Sequence, residues 1–349
     1  MKILLYNNEN YFNINQINIC TMKTENQIVL TGIRPTSNLT IANYIGAIMP
    51  ILVFQEEGLR PYVFVADIHA LTDNEPEVLK YGDEILIDLL AAGVDPSKTI
   101  IYKQSSIANE IGVLTLLLAR HVSVAELLRL PTLKEKVKTE SVENANALLM
   151  MYPVMMTADI LIQRASIIPV GKDQVSHIEI ARKIARRFNK EIIDIFPEPS
   201  THIMDTVKIL SLRDDSKMSK SIPEDAIFLT DTPEQVKVKI KRAQTAIAGV
   251  MSENLKSHIT LIKSICNDTI LLKEIDSIIN DHMNGLNVMG DFKKIFTEIV
   301  INFLFNFQSK REEILINKDK YLSEIKLSSN IAISNAKETM IMVYKALGL

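Results

Sequence analysis

The stretch SLRDDSKMSKSIPEDA, residues 211–226, sets Lys217 and Lys220 three apart among Ser216, Ser219 and Ser221, with acids on both flanks. On composition alone it is a solvated loop; convergence with other polar groups would make it a site. Three further stretches carry such groups: TGIRPTSNLTIANYIG, DIHALTD with His69, and GKDQVSHIEIARKIARRFN with Gln174. In the last, Arg182, Lys183, Arg186, Arg187 and Lys190 suit either a solvated helix face or phosphate contacts. His177, Ala181, Ile184 and Phe188 fall on one side of the same helix and fit a core stripe.

Each stretch follows an apolar run with strand character. QIVLTGI (27–33), PYVFVAD (61–67), KTIIYKQ (98–104), ASIIPVG (165–171) and DTVKILSL (205–212) are β-branched and nearly continuous, as in parallel strands buried on both faces. Helical periodicity separates them, as in PEVLKYGDEILIDLLAAGVDP, which Gly93 and Pro96 close. In open parallel sheets ligands bind beyond the carboxyl ends of the strands. Four of the five expected strand ends carry unusual polar groups, which makes that edge the candidate site. TIAN opens a helix at Thr40, and Ser176 is placed to cap another. Between the third and fourth runs lie about 60 residues of helical pattern, more than a crossover needs. After residue 226 only helical patterns follow, so an α/β domain followed by an all-α domain is expected.

The chain has 349 residues, a length that favours two domains, and 47% hydrophobic with 23% charged residues, an ordinary globular composition. Its 39 basic and 42 acidic residues exclude wholesale polyanion binding, so a nucleic acid would need a local basic patch. Cys20 and Cys266 are too few for a disulfide framework, and two Cys with six His form no metal-ligand cluster. VLTLLLARHVSVAELL is interrupted by Arg120 and His121, so no run spans a membrane, and the start of the chain lacks a signal-peptide core. A cytoplasmic location is expected. Residues 1–24 are Asn-rich and unpatterned, a flexible extension, with Met22 an alternative start.

KMSKS at 217–221 matches the second signature of the class I aminoacyl-tRNA synthetases, and TIAN at 40–43 sits where that family has His-Ile-Gly-His. With TGIRPTS, MYPVMMTADIL, GKDQVSHIEIARKIARRFN and RAQTA, the chain resembles the bacterial-type tryptophanyl-tRNA synthetases. The resemblance runs from about residue 28 to the end and is dense through 246. It implies a Rossmann-like parallel-sheet nucleotide-binding domain over 25–225, with a helical insertion at about 105–160 that forms a homodimer interface and a signature loop at 214–223. It implies a helical anticodon-binding domain over 226–349, where VKVKIKRAQ, with Lys237, Lys239, Lys241 and Arg242, suits phosphate contacts or a solvated amphipathic helix.

The implied reaction is attack by the carboxylate of L-tryptophan on the α-phosphorus of ATP, with Mg2+, followed by transfer to tRNA(Trp). Fixed positive charge helps where negative charge builds, which gives Lys217 and Lys220 a catalytic role at the departing pyrophosphate. By the same resemblance Thr40 and Asn43 are catalytic and ATP-binding, and Arg34, Gly171, Asp173, Met218, Ser219, Ser221 and Lys136 join the ATP site. Asp159 is the acceptor for the indole N–H, which is a donor only. Met156 walls the ring, Tyr152 and Gln174 hold the amino group, and His69 lines the pocket. The chain departs from the family at Ala42, where glycine is usual, at Lys172 for glutamate and at Arg34 for glutamine. The alternatives are the sister tyrosyl-tRNA synthetases, which share the fold, and a low-activity paralogue that binds tRNA or tryptophan. A nucleotidyltransferase outside translation leaves the helical tail unexplained.

Overall fold

The computed structural model describes residues 27–35, 38–72, 81–140, 146–171, 174–203 and 209–349. The expected N-terminal extension lies outside the described residues. Strands β1 (Leu30–Ile33), β2 (Tyr62–Val65) and β3 (Ile100–Lys103) pair in parallel in the order β1-β2-β3, and β4 (Ile167–Val170) pairs in parallel with β5 (Ser200–Ile203). A parallel bridge between Val29 and Ile167, with Ser166 N and Ile167 N donating to Ile28 O, joins the two pieces. The resulting order is 3-2-1-4-5, and strand order reverses between β1 and β4. That reversal is where doubly wound sheets leave a crevice.

The first four expected strands form where their apolar runs lie. The fifth does not. The partner of β4 is Ser200–Ile203, upstream of the expected 205–212, and of that segment only 209–212 is described. There the backbone makes one isolated antiparallel bridge, Leu210 to Lys217, and so belongs to the base of the signature loop. β5 reads STHI, three of whose four residues are polar, so hydrophobicity did not mark it.

Helices fill both faces. On the way from β1 to β2 come α1 (Ile41–Asn43), a wider turn at Tyr44–Ile48 and α2 (Met49–Glu56). From β2 to β3 run α3 (Asp67–Ala70) and α4 (Gly82–Ala91), the latter ended by Gly93 at φ +105°. The long connection to β4 holds α5 (Ala108–Ala119), α6 (Val124–Leu127), α7 (Pro131–Glu140) and α8 (Ala147–Ile162). α9 (Val175–Glu191) leads to β5; its N-cap is Gln174, so Ser176 lies inside the helix and does not cap it. Then follow α10 (Pro233–Arg242), α11 (Glu253–Ile265), α12 (Thr269–Met283), α13 (Met289–Ile316) and α14 (Lys318–Leu347). The apolar run through 259–283 breaks at Cys266–Asp268, where Asp268 Oδ1 accepts from Ile270 N and Leu271 N.

Alternation along the strands divides the core in two. Val63, Val65 and Ile101 face a cluster with α4, α10, α11 and α13, while Phe64, Ile100 and Tyr102 face one with α5, α8 and α9. α14 takes part in both, through Ile325 in the first and Ala332, Ala336, Met340 and Val343 in the second. Between them its Ser328 Oγ accepts from Ile101 N at 3.0 Å and lies 3.2 Å from Ile101 O, on the edge of β3. The apolar core is thus continuous from the sheet into the C-terminal helices.

Candidate active site

A cavity of about 500 Å3 opens at the carboxyl ends of β1 and β4, at the strand-order reversal. Its floor includes Gly32, where a Cβ would come within 2.6 Å of the Phe64 ring, so glycine leaves the space over which that ring lies. Tyr152, Met156 and Asp159 line one wall from a single face of α8, at spacings of four and three residues. Arg34, His69, Gly171 and Gln174 line it too.

Asp159 is 2% exposed and sits in a closed polar knot. Gln104, directly after β3, brings Nε2 to 2.8 and 2.9 Å from its two carboxylate oxygens. Gln104 Oε1 accepts from His69 N at 3.0 Å, and His69 Nδ1 lies 3.2 Å from Asp159 Oδ2. His69 Nε2 lies 3.3 Å from Tyr152 O. Burial raises the pKa of Asp159 above the ordinary carboxylate value, with the neighbouring His69 and the hydrogen bond from Gln104 opposing it. Behind this knot Asp67 is also buried and accepts from Ser105 N and Ser105 Oγ, which ties the end of β2 to the end of β3.

A second polar group gathers at Tyr152 on the same wall. Thr132 Oγ1 is 2.9 Å from Tyr152 Oη and 2.5 Å from His177 Nε2. Burial raises the pKa of the Tyr152 phenol, so it stays a neutral donor. Arg34 Nη2 reaches Thr72 Oγ1 at 3.5 Å.

The first signature segment lies beside residues 227–229, a few residues past the second. Ile41 N donates to Ile227 O at 2.8 Å, Leu229 N to Leu39 O at 2.9 Å, and Thr40 bridges Phe228. Thr40 is buried and caps α1: Asn43 N donates to Thr40 Oγ1, and Thr40 N and Oγ1 both donate to Asn43 Oδ1. The 217–221 loop is tied at its base, with Met218 N donating to Ile209 O and the Met218 side chain buried in the core. Above that anchor Lys217, Ser219 and Ser221 are exposed, and Ser221 N donates to Ser219 Oγ at 3.2 Å. Lys220 is half-buried, and the loss of hydration lowers its pKa to about 8, opposed by the negative charge of Asp88. Asp88 accepts from Arg311 Nε at 2.7 Å, so one acid on α4 faces both the loop and α13.

The structure therefore gathers Arg34, His69, Tyr152, Met156, Asp159, Gly171 and Gln174 in one cavity. Thr40, Asn43, Met218, Ser219, Lys217, Lys220 and Ser221 lie outside its lining. Asp173, Lys172 and the side chain of Lys136 lie outside the described residues. Sequence reasoning missed Gln104, Thr132, His177 as a cavity residue, and Asp88. Gln104 was findable: it is the first residue after β3, on the same sheet edge that marked the other strand ends. The basic face of α9 is largely neutralised, with Lys183 and Arg187 on Glu126, Arg182 on Glu179 and Arg186 on Glu198. These groups border a more open groove of about 730 Å3 between α6 and α9. Lys239 is likewise committed, to Asp231 at 2.6 Å.

Residues 22–312 match the family model for tRNA synthetases class I (W and Y). A tryptophan–tRNA ligase of Chlamydia caviae is 33% identical over 333 residues, spanning 92% of this chain and 95% of that one. One from Thermotoga maritima is 44% identical over 197 residues, 55% of this chain and 60% of its own. Among solved structures, Campylobacter jejuni tryptophanyl-tRNA synthetase complexed with ADP and tryptophan superposes with a TM-score of 0.79 at 29% identity, covering 93% of this chain and 100% of that one. Tyrosyl-tRNA synthetase from Aeropyrum pernix, at 19% identity and a TM-score of 0.66 over 87% of this chain and 90% of its own, shares the fold.

Proposed function

The chain belongs to the class I tRNA synthetases of the W and Y group, and from that premise we propose that it is a tryptophan–tRNA ligase. It activates L-tryptophan with ATP and transfers the aminoacyl group to tRNA(Trp). The observation that carries the choice of amino acid is Asp159: a buried acceptor on a wall it shares with Met156 is the chemistry an indole N–H requires. Tyr152 and Gln174 hold the substrate's amino group. His69 completes the wall.

In the first step a carboxylate oxygen of tryptophan bonds to the α-phosphorus of ATP, and the bond from that phosphorus to the bridging oxygen breaks, releasing pyrophosphate. Lys217 and Lys220 meet the charge that grows on the departing phosphates. Ser219 and Ser221 supply short donors, Arg34 and Gly171 serve the nucleotide from the cavity lining, and the family resemblance adds Asp173 and Lys136 to the ATP site. Thr40 and Asn43 present the N-terminus of α1 to the nucleotide. Mg2+ would enter with ATP as part of the substrate and offset the charge of its phosphates.

We assign the nucleotide-binding domain to 25–225 and tRNA anticodon recognition to the helices of 226–349. Leu116, Val124 and Leu128 stand exposed on the insertion, which supports a homodimer built on that face. Among the described residues no helix is long and apolar enough to cross a membrane. Pyrophosphate exchange with each of the twenty amino acids tests the reading. Exchange should depend on tryptophan; exchange driven by tyrosine, or by none, refutes it.

A further inference from the structure

We infer that Gln104 is a positioning residue that makes Asp159 selective for an N–H donor, an inference that rests on the reading of Asp159 given above. Gln104 is fully buried and does not line the cavity, so it acts only through its neighbours. Its amide can face one way only. Oε1 accepts the His69 backbone N–H at 3.0 Å, and a reversed amide would set donor against donor there and acceptor against carboxylate at Asp159. Nε2 then has two hydrogens to place. One falls between the Asp159 oxygens at 2.8 and 2.9 Å, and the other meets His69 Nδ1 at 2.9 Å.

That second bond fixes the imidazole. Tyr152 O can only accept, so the His69 Nε2 facing it at 3.3 Å carries a proton, and because the Gln104 amide nitrogen can only donate, the Nδ1 it meets is the acceptor. His69 Nδ1 and Asp159 Oδ2, 3.2 Å apart, are thus two acceptors held together by one amide. Without the amide, a proton shared between Nδ1 and Oδ2 is the remaining way to keep them adjacent. Such a bond turns the carboxylate toward His69 and occupies the oxygen that should receive the substrate. Gln104 leaves Asp159 with an open acceptor, and a ligand that matches the shape of indole but lacks its N–H is rejected.

The test compares kcat/KM in pyrophosphate exchange for tryptophan and for β-(3-benzothienyl)alanine, in which sulfur replaces the N–H. The parental enzyme should favour tryptophan by more than about tenfold, the scale for leaving a buried acceptor unpaired. In Gln104→Met and Gln104→Leu that ratio should fall toward unity, while the KM for ATP is unchanged. A purely structural role would lower both activities together and leave the ratio intact; because the ratio is taken on one preparation, any inactive fraction cancels. A parental ratio near unity overturns the reading of Asp159 and this inference with it. A high parental ratio that both variants keep overturns this inference alone. Nitrogen-15 NMR of the His69 ring in the unmodified protein is a second check: a proton on Nε2 alone is expected, and one on Nδ1 overturns the proposal.

Discussion

The cavity around Asp159 and the loop around Lys220 hold their charges in opposite ways. Asp159 is fixed by Gln104, and its position is set before any ligand arrives. Lys220 hangs on a loop whose backbone is anchored at Met218, while Lys217, Ser219 and Ser221 stand in solvent. A rigid pocket suits discrimination, because a fixed acceptor penalises a ligand that lacks the donor. A tethered cation suits a reaction in which charge migrates, because lysine is a compact charge on a long stem. Recognition is built into the cavity, and charge for the phosphates is delivered by the loop.

The largest effect expected from breaking this division comes at the loop. Lys220→Ala should slow adenylate formation by about two to three orders of magnitude, the scale for losing one transition-state donor. Tryptophan affinity should survive, and the protein contains no tryptophan, so ligand fluorescence in equilibrium titrations can report it directly. Adenylation at the parental rate would dissolve the contrast. Asp159→Ala should do the reverse, weakening tryptophan use by about tenfold or more with little change in the KM for ATP. Pre-steady-state adenylation at varied tryptophan and varied ATP separates the two.

Acidity sharpens the comparison with a smaller effect. Lys220 loses its charge as pH rises through about 8, so kcat/KM for ATP, which reports the free enzyme, should fall on the alkaline side. Asp159 has its pKa raised by burial, so kcat/KM for tryptophan should fall on the acid side as the carboxylate takes up a proton. The lysine shift also has a sign in stability. The folded chain releases this proton more readily than the unfolded chain, so Lys220 adds stability as pH climbs from about 8 toward 10.5. Lys220→Met should remove the alkaline limb and leave the acid one in place. The smallest expected change is at Ala42, half-buried in α1. Ala42→Gly should lower the KM for ATP modestly and leave tryptophan affinity alone; a rise would mean that α1 lies against the nucleotide differently from the family pattern.

Much of the fold was legible because buried parallel strands must be apolar, and β1 to β4 are. β5 escaped because STHI is mostly polar, and its place in the sheet comes from pairing with β4, a contact that local pattern does not encode. At the site, residues in recognisable motifs were named from the sequence: Asp159, Tyr152, Met156, Gln174 and His69 do share one cavity. Gln104 and Asp88 belong to no motif. Their meaning depends on what stands opposite, across 55 residues from Gln104 to Asp159 and 223 from Asp88 to Arg311. In the sequence the basic face of α9 stays open between solvent and phosphate contacts for the same reason: the acids of α6 and of the β5 approach meet its cations only once the chain is folded.

The hydroxyl of Ser328 on the edge of β3 has a consequence for synthesis on the ribosome. β3 is the outer strand of its sheet, and the group that occupies its backbone at Ile101 is translated 227 residues later. Until then the emerging polypeptide presents a bare strand edge, the surface to which a neighbouring nascent chain most readily adds. Polysome crowding therefore bears hardest on this protein while α14 is still unmade. A chain ended at residue 317 should be recovered mainly in the insoluble fraction when expressed on its own, and supplying residues 318–349 as a separate peptide should return part of it to solution.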